Sequence, residues 1–230
     1  MSKKYRPDKE EYIEGIGQFL YNIKIPSFDK SLEALADMGA SIPSTRDFAF
    51  VIIKTGREIY GPVREAIIHY PNEGNLLIRN SLILESKALA ESGAIAHAHG
   101  KEIYLEGEHE EKARLLLEKA KKYPENDEAI FLRNHLLIST QRFSEDKRIK
   151  WLFGDTQEDI NAILNKEHIK EISFHVDSKD EVNRHAKPYT NQLWLTLFSK
   201  DMSGFSGNLK FFHNSISIHA VKKPKPDQSH

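Results

Sequence analysis

Apolar side chains at Tyr12, Ile13, Ile16, Phe19, Leu20 and Ile23 recur three or four positions apart, which predicts an amphipathic helix ended by Pro26. Ser27 or Asp29 then caps a short helix with Leu32, Leu35 and Ala36 on one face and Gly39 at its end. Phe48 to Ile53 is β-branched and aromatic and predicts a buried strand, with Thr55-Gly56 as a hairpin turn and a return strand through Glu58-Ile59-Tyr60, broken at Gly61-Pro62. Val63 to Tyr70 reads as either helix or strand. Asn72-Glu73-Gly74-Asn75 is turn chemistry, and Leu76 to Leu84 is a long apolar strand.

The alanine-rich stretch from Ser86 to His99 predicts a helix with a glycine cap at Gly100. Glu102 to Leu105 is a short strand. Glu108 to Lys122 is the clearest helix, with glutamates in its first turn and lysines in its last, as the helix dipole favours. Ala129 to Ile138 is a second long strand. A helix from Ser144 to Phe153 ends at Gly154, and Asp155-Thr156-Gln157-Glu158 reads as a capping box opening a helix through Leu164. Beyond Ile169 the period becomes two: Ile172, Phe174 and Val176 alternate with Ser173, His175 and Asp177, and further strands are predicted at Gln192–Phe198, Asn208–Phe212 and Ile216–Val221.

One pattern occurs twice. Gly56-Arg57-Glu58-Ile59-Tyr60 returns as Gly100-Lys101-Glu102-Ile103-Tyr104. Tyr70-Pro71 followed by an apolar run to Arg79-Asn80 returns as Tyr123-Pro124 and a run to Arg133-Asn134. The fold class implied is α+β: a mixed sheet from two similar strand-helix units, about 45–86 and 94–140, with an antiparallel C-terminal group of strands. The expected layout is a flexible tail at 1–9, an α/β region at 10–140, linking helices at 144–165, an antiparallel β region at 169–222 and a disordered tail at 223–230, which carries lysines and two prolines.

The repeat singles out an arginine in each apolar strand. Two partners fit Arg79 and Arg133. One is an internal ion pair with Glu58 and Glu102, which recur with them. The other is a bound phosphate or carboxylate, oriented by Asn80 and Asn134.

With 33 basic and 34 acidic residues the chain has no global field to draw in or repel nucleic acid. It has no cysteine, which excludes disulfides, thiolate nucleophiles and Cys-based zinc sites. No run reaches the length of a spanning helix and the charged N-terminus is not a secretory signal, so the localisation expected is intracellular, in the cytoplasm, with no membrane partner.

Of the eleven histidines, His97 and His99 form the tightest cluster, with Glu102 and His109 nearby. On a strand the first two share a face and could converge on a metal; on a helix they stand about 200° apart, so a metal is not favoured there. His175, Asp177 and His219 are the candidates for an acid–base site. Gly15-Ile16-Gly17 lacks the remainder of a dinucleotide fingerprint, and no nucleophile elbow occurs. Aromatic and basic residues mix around Trp151, Trp194 and Phe211, a pattern shared by base-stacking surfaces and by ordinary cores.

These features favour a non-catalytic binding or assembly protein, without a cofactor, whose partner is a nucleic acid or another protein and which an oligomer would also suit. The alternative is a hydrolase or nuclease with a His/acid site, with or without a metal.

Overall fold

A computed structural model of the chain describes residues 5–26, 28–81, 102–124, 126–132, 136–197, 204–206 and 216–223. Its first element departs from the predicted helix. Residues Lys9–Ile13 (β1) and Gly17–Ile25 (β2) form an antiparallel hairpin. Gly15 and Gly17 take positive φ angles of 94° and 101°, which break any helix at the middle of the pattern. From there period two prevails on each side of Asn22. Phe19 and Tyr21 face the core that holds Phe48 and Ile52, while Leu20 faces a second core. A bulge at Asn22, φ 50°, turns Ile23 and Ile25 to that second core with Lys24 exposed between them.

Phe28–Asp37 is helical as predicted (α1). Thr45–Thr55 is a helix too (α2), where the composition predicts a strand. Its ends decide the matter. Ser44 and Asp47 close a reciprocal capping box, and Gly56, at φ 63°, is the left-handed C-cap rather than a hairpin turn. The β-branched and aromatic residues between them bury Phe48, Val51 and Ile52 along one helix face.

Ile59–Tyr70 (β3) runs unbroken through Gly61-Pro62. The pairing register shifts between Pro62 and Ala66, so the chain bulges there instead of stopping. The turn at Asn72 returns it as Gly74–Ile78 (β4). Ile103–Tyr104 (β5) and the helix Glu108–Lys122 (α3) match the prediction. The second long strand is described as two, Ala129–Leu132 (β6) and Leu136–Ser139 (β7). Lys147–Phe153 (α4) and Gln157–Lys166 (α5) follow. Thr156 does not cap α5 with its side chain. Its hydroxyl donates to the Phe153 carbonyl, and Asp155 pairs with Arg46. Glu171–His175 (β8), a short helix Lys179–Val182 (α6), Tyr189–Leu197 (β9), Gly204–Ser206 (β10) and Ile216–Lys222 (β11) complete the described chain. The predicted helix at 86–99 and the predicted strand at 208–212 lie outside the described residues.

The architecture is α+β. A three-stranded sheet has the order β1-β2-β11, so strands from the two ends of the chain pair with each other. A larger sheet has the order β6-β4-β3-β9-β10-β8-β7, with β5 also on β9. The pairings cross the expected boundary between 10–140 and 169–222: β9 lies against β3 and β11 against β2. Within the later group β8 and β10 run parallel.

The two copies of the repeated pattern stand in unlike settings. Tyr70 ends a strand, whereas Tyr123 caps helix α3; β4 and β6, which follow them, are antiparallel neighbours. Alternate residues of β3 serve two cores. Val63 and Ile67 face the cluster that holds α2, α4 and α5. Ala66, Ile68 and Tyr70 face the cluster under α3. Trp151 and Trp194 are buried, so both belong to the interior rather than to a stacking surface. Among the described residues no helix is long and apolar enough to cross a membrane.

Candidate functional site

The larger sheet changes character at one end. Along its α2 face the central strands carry Ile67 on β3, Leu77 on β4, and Leu193 and Leu195 on β9, all buried and apolar. Toward the β3–β4 turn the next residue on that face of each strand is polar: His69, then Asn75, then Asn191 and Tyr189. Pairing register fixes their neighbours. His69 stands opposite Asn75 on one side and opposite Tyr189 on the other.

His69 is fully buried, with Nδ1 2.7 Å from the Asn75 Oδ1 and Nε2 3.3 Å from the Asn191 Nδ2. An amide oxygen can only accept, so Nδ1 carries the proton, and Nε2 accepts from Asn191. This is neutral imidazole. Burial pushes its pKa below the usual histidine value, against the opposing pull of Asp177, whose Oδ2 lies 3.9 Å from Nε2. Tyr189 stacks on the imidazole at 4.6 Å and donates its hydroxyl to Asp177 Oδ2 over 2.7 Å. Burial and that carboxylate together raise the phenol's pKa. On the other side of Tyr189 stands His185, at 4.5 Å between rings. Its Nδ1 takes the hydroxyl of Tyr104 at 2.7 Å, and its Nε2 is 4.0 Å from Glu102. A continuous polar row thus runs from exposed Tyr104 to buried Asn75.

Asn75 opens onto a cleft of about 350 Å³ between the β3–β4 turn, β6 and α6, lined also by Asn72, Glu73, Phe131, Lys179 and Asn183. Three amides converge there, Asn72 and Asn75 from the β3–β4 turn and Asn183 from the end of α6. The backbone N–H of Asn72 donates to Asn183 Oδ1 at 2.7 Å, tying the turn to the end of α6. Glu73 is neutralised by Arg114 and Lys121 of α3, which hold its carboxyl below the usual carboxylate range. Gly74, at φ 131°, lets the Phe131 ring lie close against the turn; a Cβ there would stand 3.0 Å from Cζ. Tyr70 lies at the cleft wall, and its buried hydroxyl has no hydrogen-bond partner among the described residues.

The candidates from the sequence are distributed as follows. Asp177 and Glu102 belong to this polar row. His219 does not join Asp177: it sits in the other sheet, stacked on Phe19 at 5.6 Å and edged by Tyr21 and Phe48. Its burial pushes the imidazole down to about 4. His175 closes β8, opposite Ser206, and its side chain lies outside the described residues. Arg79 does not pair with Glu58. It donates through Nε to the Asp127 carbonyl and through Nη2 to that of Trp151, both at 3.0 Å, and lies over the Trp151 ring at 4.2 Å. Asn80 is exposed and lines a different cavity, with Arg64. His109 lies in the first turn of α3. His97, His99, Arg133 and Asn134 lie outside the described residues. Among the described residues no group of three His, Asp or Glu side chains could hold a metal ion.

His69, Asn75, Tyr189 and His185 are absent from the sequence-based candidates. For His69 the signal is alternation: with Val63–Tyr70 as strand, it is a polar residue on the face of Ile67.

No family model matches the chain, and no curated protein matches it. A solved structure does, with a TM-score of 0.57 over 87% of this chain and 95% of that one, at 10% sequence identity. It is described by the words "Accommodation of massive sequence variation in Nanoarchaeota by the C-type lectin fold". The protein is therefore similar in fold to a C-type lectin-fold protein. At that identity the likeness concerns the fold.

Proposed function

We propose that the protein is a non-catalytic binding module whose seat is the cleft beside the β3–β4 turn, and that it takes a hydroxyl-rich ligand, a carbohydrate. The observation that carries this reading is the convergence of Asn72, Asn75 and Asn183 on one cleft with an aromatic wall at Phe131. Sugar hydroxyls both donate and accept, and so do side-chain amides; an aromatic face suits the apolar side of a sugar ring. Glu73 is already paired with two cations, so the cleft is not built around that charge. The polar row behind Asn75 holds that amide in one orientation. A fold whose neighbour is described as accommodating massive sequence variation supports recognition over a fixed chemistry.

Titration calorimetry with a set of mono- and oligosaccharides tests this. A member of the set should bind saturably, be released unchanged, keep its affinity in high salt as an uncharged ligand does, and bind at least tenfold more weakly to a folded Asn183→Ala variant. Turnover of the bound sugar would count against the non-catalytic reading. So would retention of single-stranded nucleic acid or of a protein partner in place of any sugar.

A further inference from the structure

A second cavity, of about 390 Å³, lies between α1, the segment joining α1 to α2, and the irregular stretch of β3. Leu32, Leu35 and Ile42 make its walls, and Arg64 with Ser41 and Asn80 supplies its polar side. The backbone of Arg64 is fixed in the bulge of β3: its N–H donates to the Pro43 carbonyl and its carbonyl accepts from Ser81. Its side chain reaches Ser41, with Nη2 3.1 Å from Oγ. Neighbouring Glu65 turns to Thr45 instead. Among the described residues, the half-buried guanidinium meets a hydroxyl and no carboxylate.

We propose that this cavity is a binding site for a small monocarboxylate with an apolar chain. The carboxylate sits on the Arg64 fork, on the side of the cavity that Ser41 and Asn80 also line, and the chain lies between Leu32, Leu35 and Ile42. A guanidinium that meets no carboxylate among the described residues is matched by a planar anion. A half-buried cation beside apolar walls gains from the charge at one end of the ligand and from burial along the other. Inorganic phosphate would satisfy the charge and leave the leucine walls uncovered. The volume suits a ligand of about ten to fifteen non-hydrogen atoms, at roughly 30 Å³ for each water-sized unit. A medium-chain fatty acid of eight or so carbons fills that range.

Calorimetry of the full chain with octanoate tests the site, with octanol, octylamine, inorganic phosphate and a short peptide ending in a leucine carboxylate as separate arms. Octanoate should bind one to one, at least tenfold tighter than octanol or phosphate, and octylamine should not bind. Arg64→Met should weaken octanoate tenfold or more. Leu32→Trp, which fills the cavity while keeping the guanidinium, should do the same and decides the matter if the arginine variant fails to fold. Asn183→Ala, in the other cleft, should leave octanoate unaffected, so this site and the carbohydrate reading fail separately. Equal affinity for octanoate and octanol, wild-type binding in the folded variants, a preference for phosphate, or binding of the peptide alone would each overturn the proposal.

Discussion

The Nδ1 of His69 and the Oδ1 of Asn75 face each other at 2.7 Å across adjoining strands, both buried. Burial holds the imidazole neutral, and the bond between the two side chains fixes the amide that opens onto the cleft. Removing the acceptor leaves a buried N–H without a partner, which costs about 1–3 kcal/mol. Asn75→Leu should therefore lower stability in urea unfolding by about 2 kcal/mol. His69→Phe combined with it should cost less than the sum of the two single changes, because the orphaned donor is gone. The double-mutant cycle should return a coupling of at least about 1 kcal/mol.

Gly74 meets two constraints at once. Its φ of 131° lies where residues with a Cβ are rarely found, and a Cβ there would approach the Phe131 ring at 3.0 Å and the Leu132 carbonyl at 3.2 Å. Gly74→Ala should cost more than about 1 kcal/mol in thermal or urea unfolding and push the Phe131 ring out of place. Gly56→Ala, at φ 63° with open space around it, should cost only the backbone part, about 1 kcal/mol. The difference between the two variants combines the packing at the cleft with the greater backbone strain at φ 131°.

Much of this arrangement could be read from the chain where local chemistry and tertiary packing agree. Helix α3 carries its charges and its ends in its own residues, and β8 shows plain alternation. Elsewhere composition and helix ends disagree. Phe48, Val51 and Ile52 are good strand residues, yet Ser44, Asp47 and Gly56 set a helix around them. Between Tyr12 and Ile23, spacing suited a helix on both sides of two glycines whose conformation forbids one. The candidate site was less legible, because it depends on register. Asp177 and Glu102 were visible as acids, but what joins them is Tyr189 and His185, placed by β9 and the segment before it. No local spacing announces that His69 lies between Asn75 and Tyr189.

Arg79 spans two chain segments, bonding the carbonyls of Asp127 and Trp151 while covering the Trp151 ring. Arg79→Met removes two charge-assisted hydrogen bonds and should cost about 2–3 kcal/mol. Arg79→Lys keeps the charge but cannot send two donors in two fixed directions, and should still cost about 1–2 kcal/mol. Denaturant unfolding of both variants checks this. A lysine variant as stable as the parent would mean that the two carbonyl contacts contribute little.

Two buried groups make opposite contributions to the response to pH. Glu65 accepts from the N–H and hydroxyl of Thr45 through one carboxyl oxygen, and burial pushes its pKa up to about 7 from 4.5. The folded state holds this proton when the unfolded state has lost it, so its stabilising contribution is complete below pH 4.5 and is lost as pH rises through about 7. His219, pushed down to about 4 from 6.5, does the reverse: its contribution is present above pH 6.5 and is lost as pH falls toward about 4. Between pH 4.5 and 6.5 these two slopes cancel, leaving the parent with what His69 and the remaining groups contribute. Glu65→Gln keeps an acceptor for Thr45 and removes one slope. Its stability relative to the parent should rise by about 1.4 kcal/mol for each pH unit from 4.5 to 6.5. His219→Phe should show the opposite trend, losing ground to the parent at a similar rate over the same range. Urea unfolding of the three proteins at several pH values measures both differences. Parallel stability curves for all three would mean that neither group is held in its neutral form by the fold.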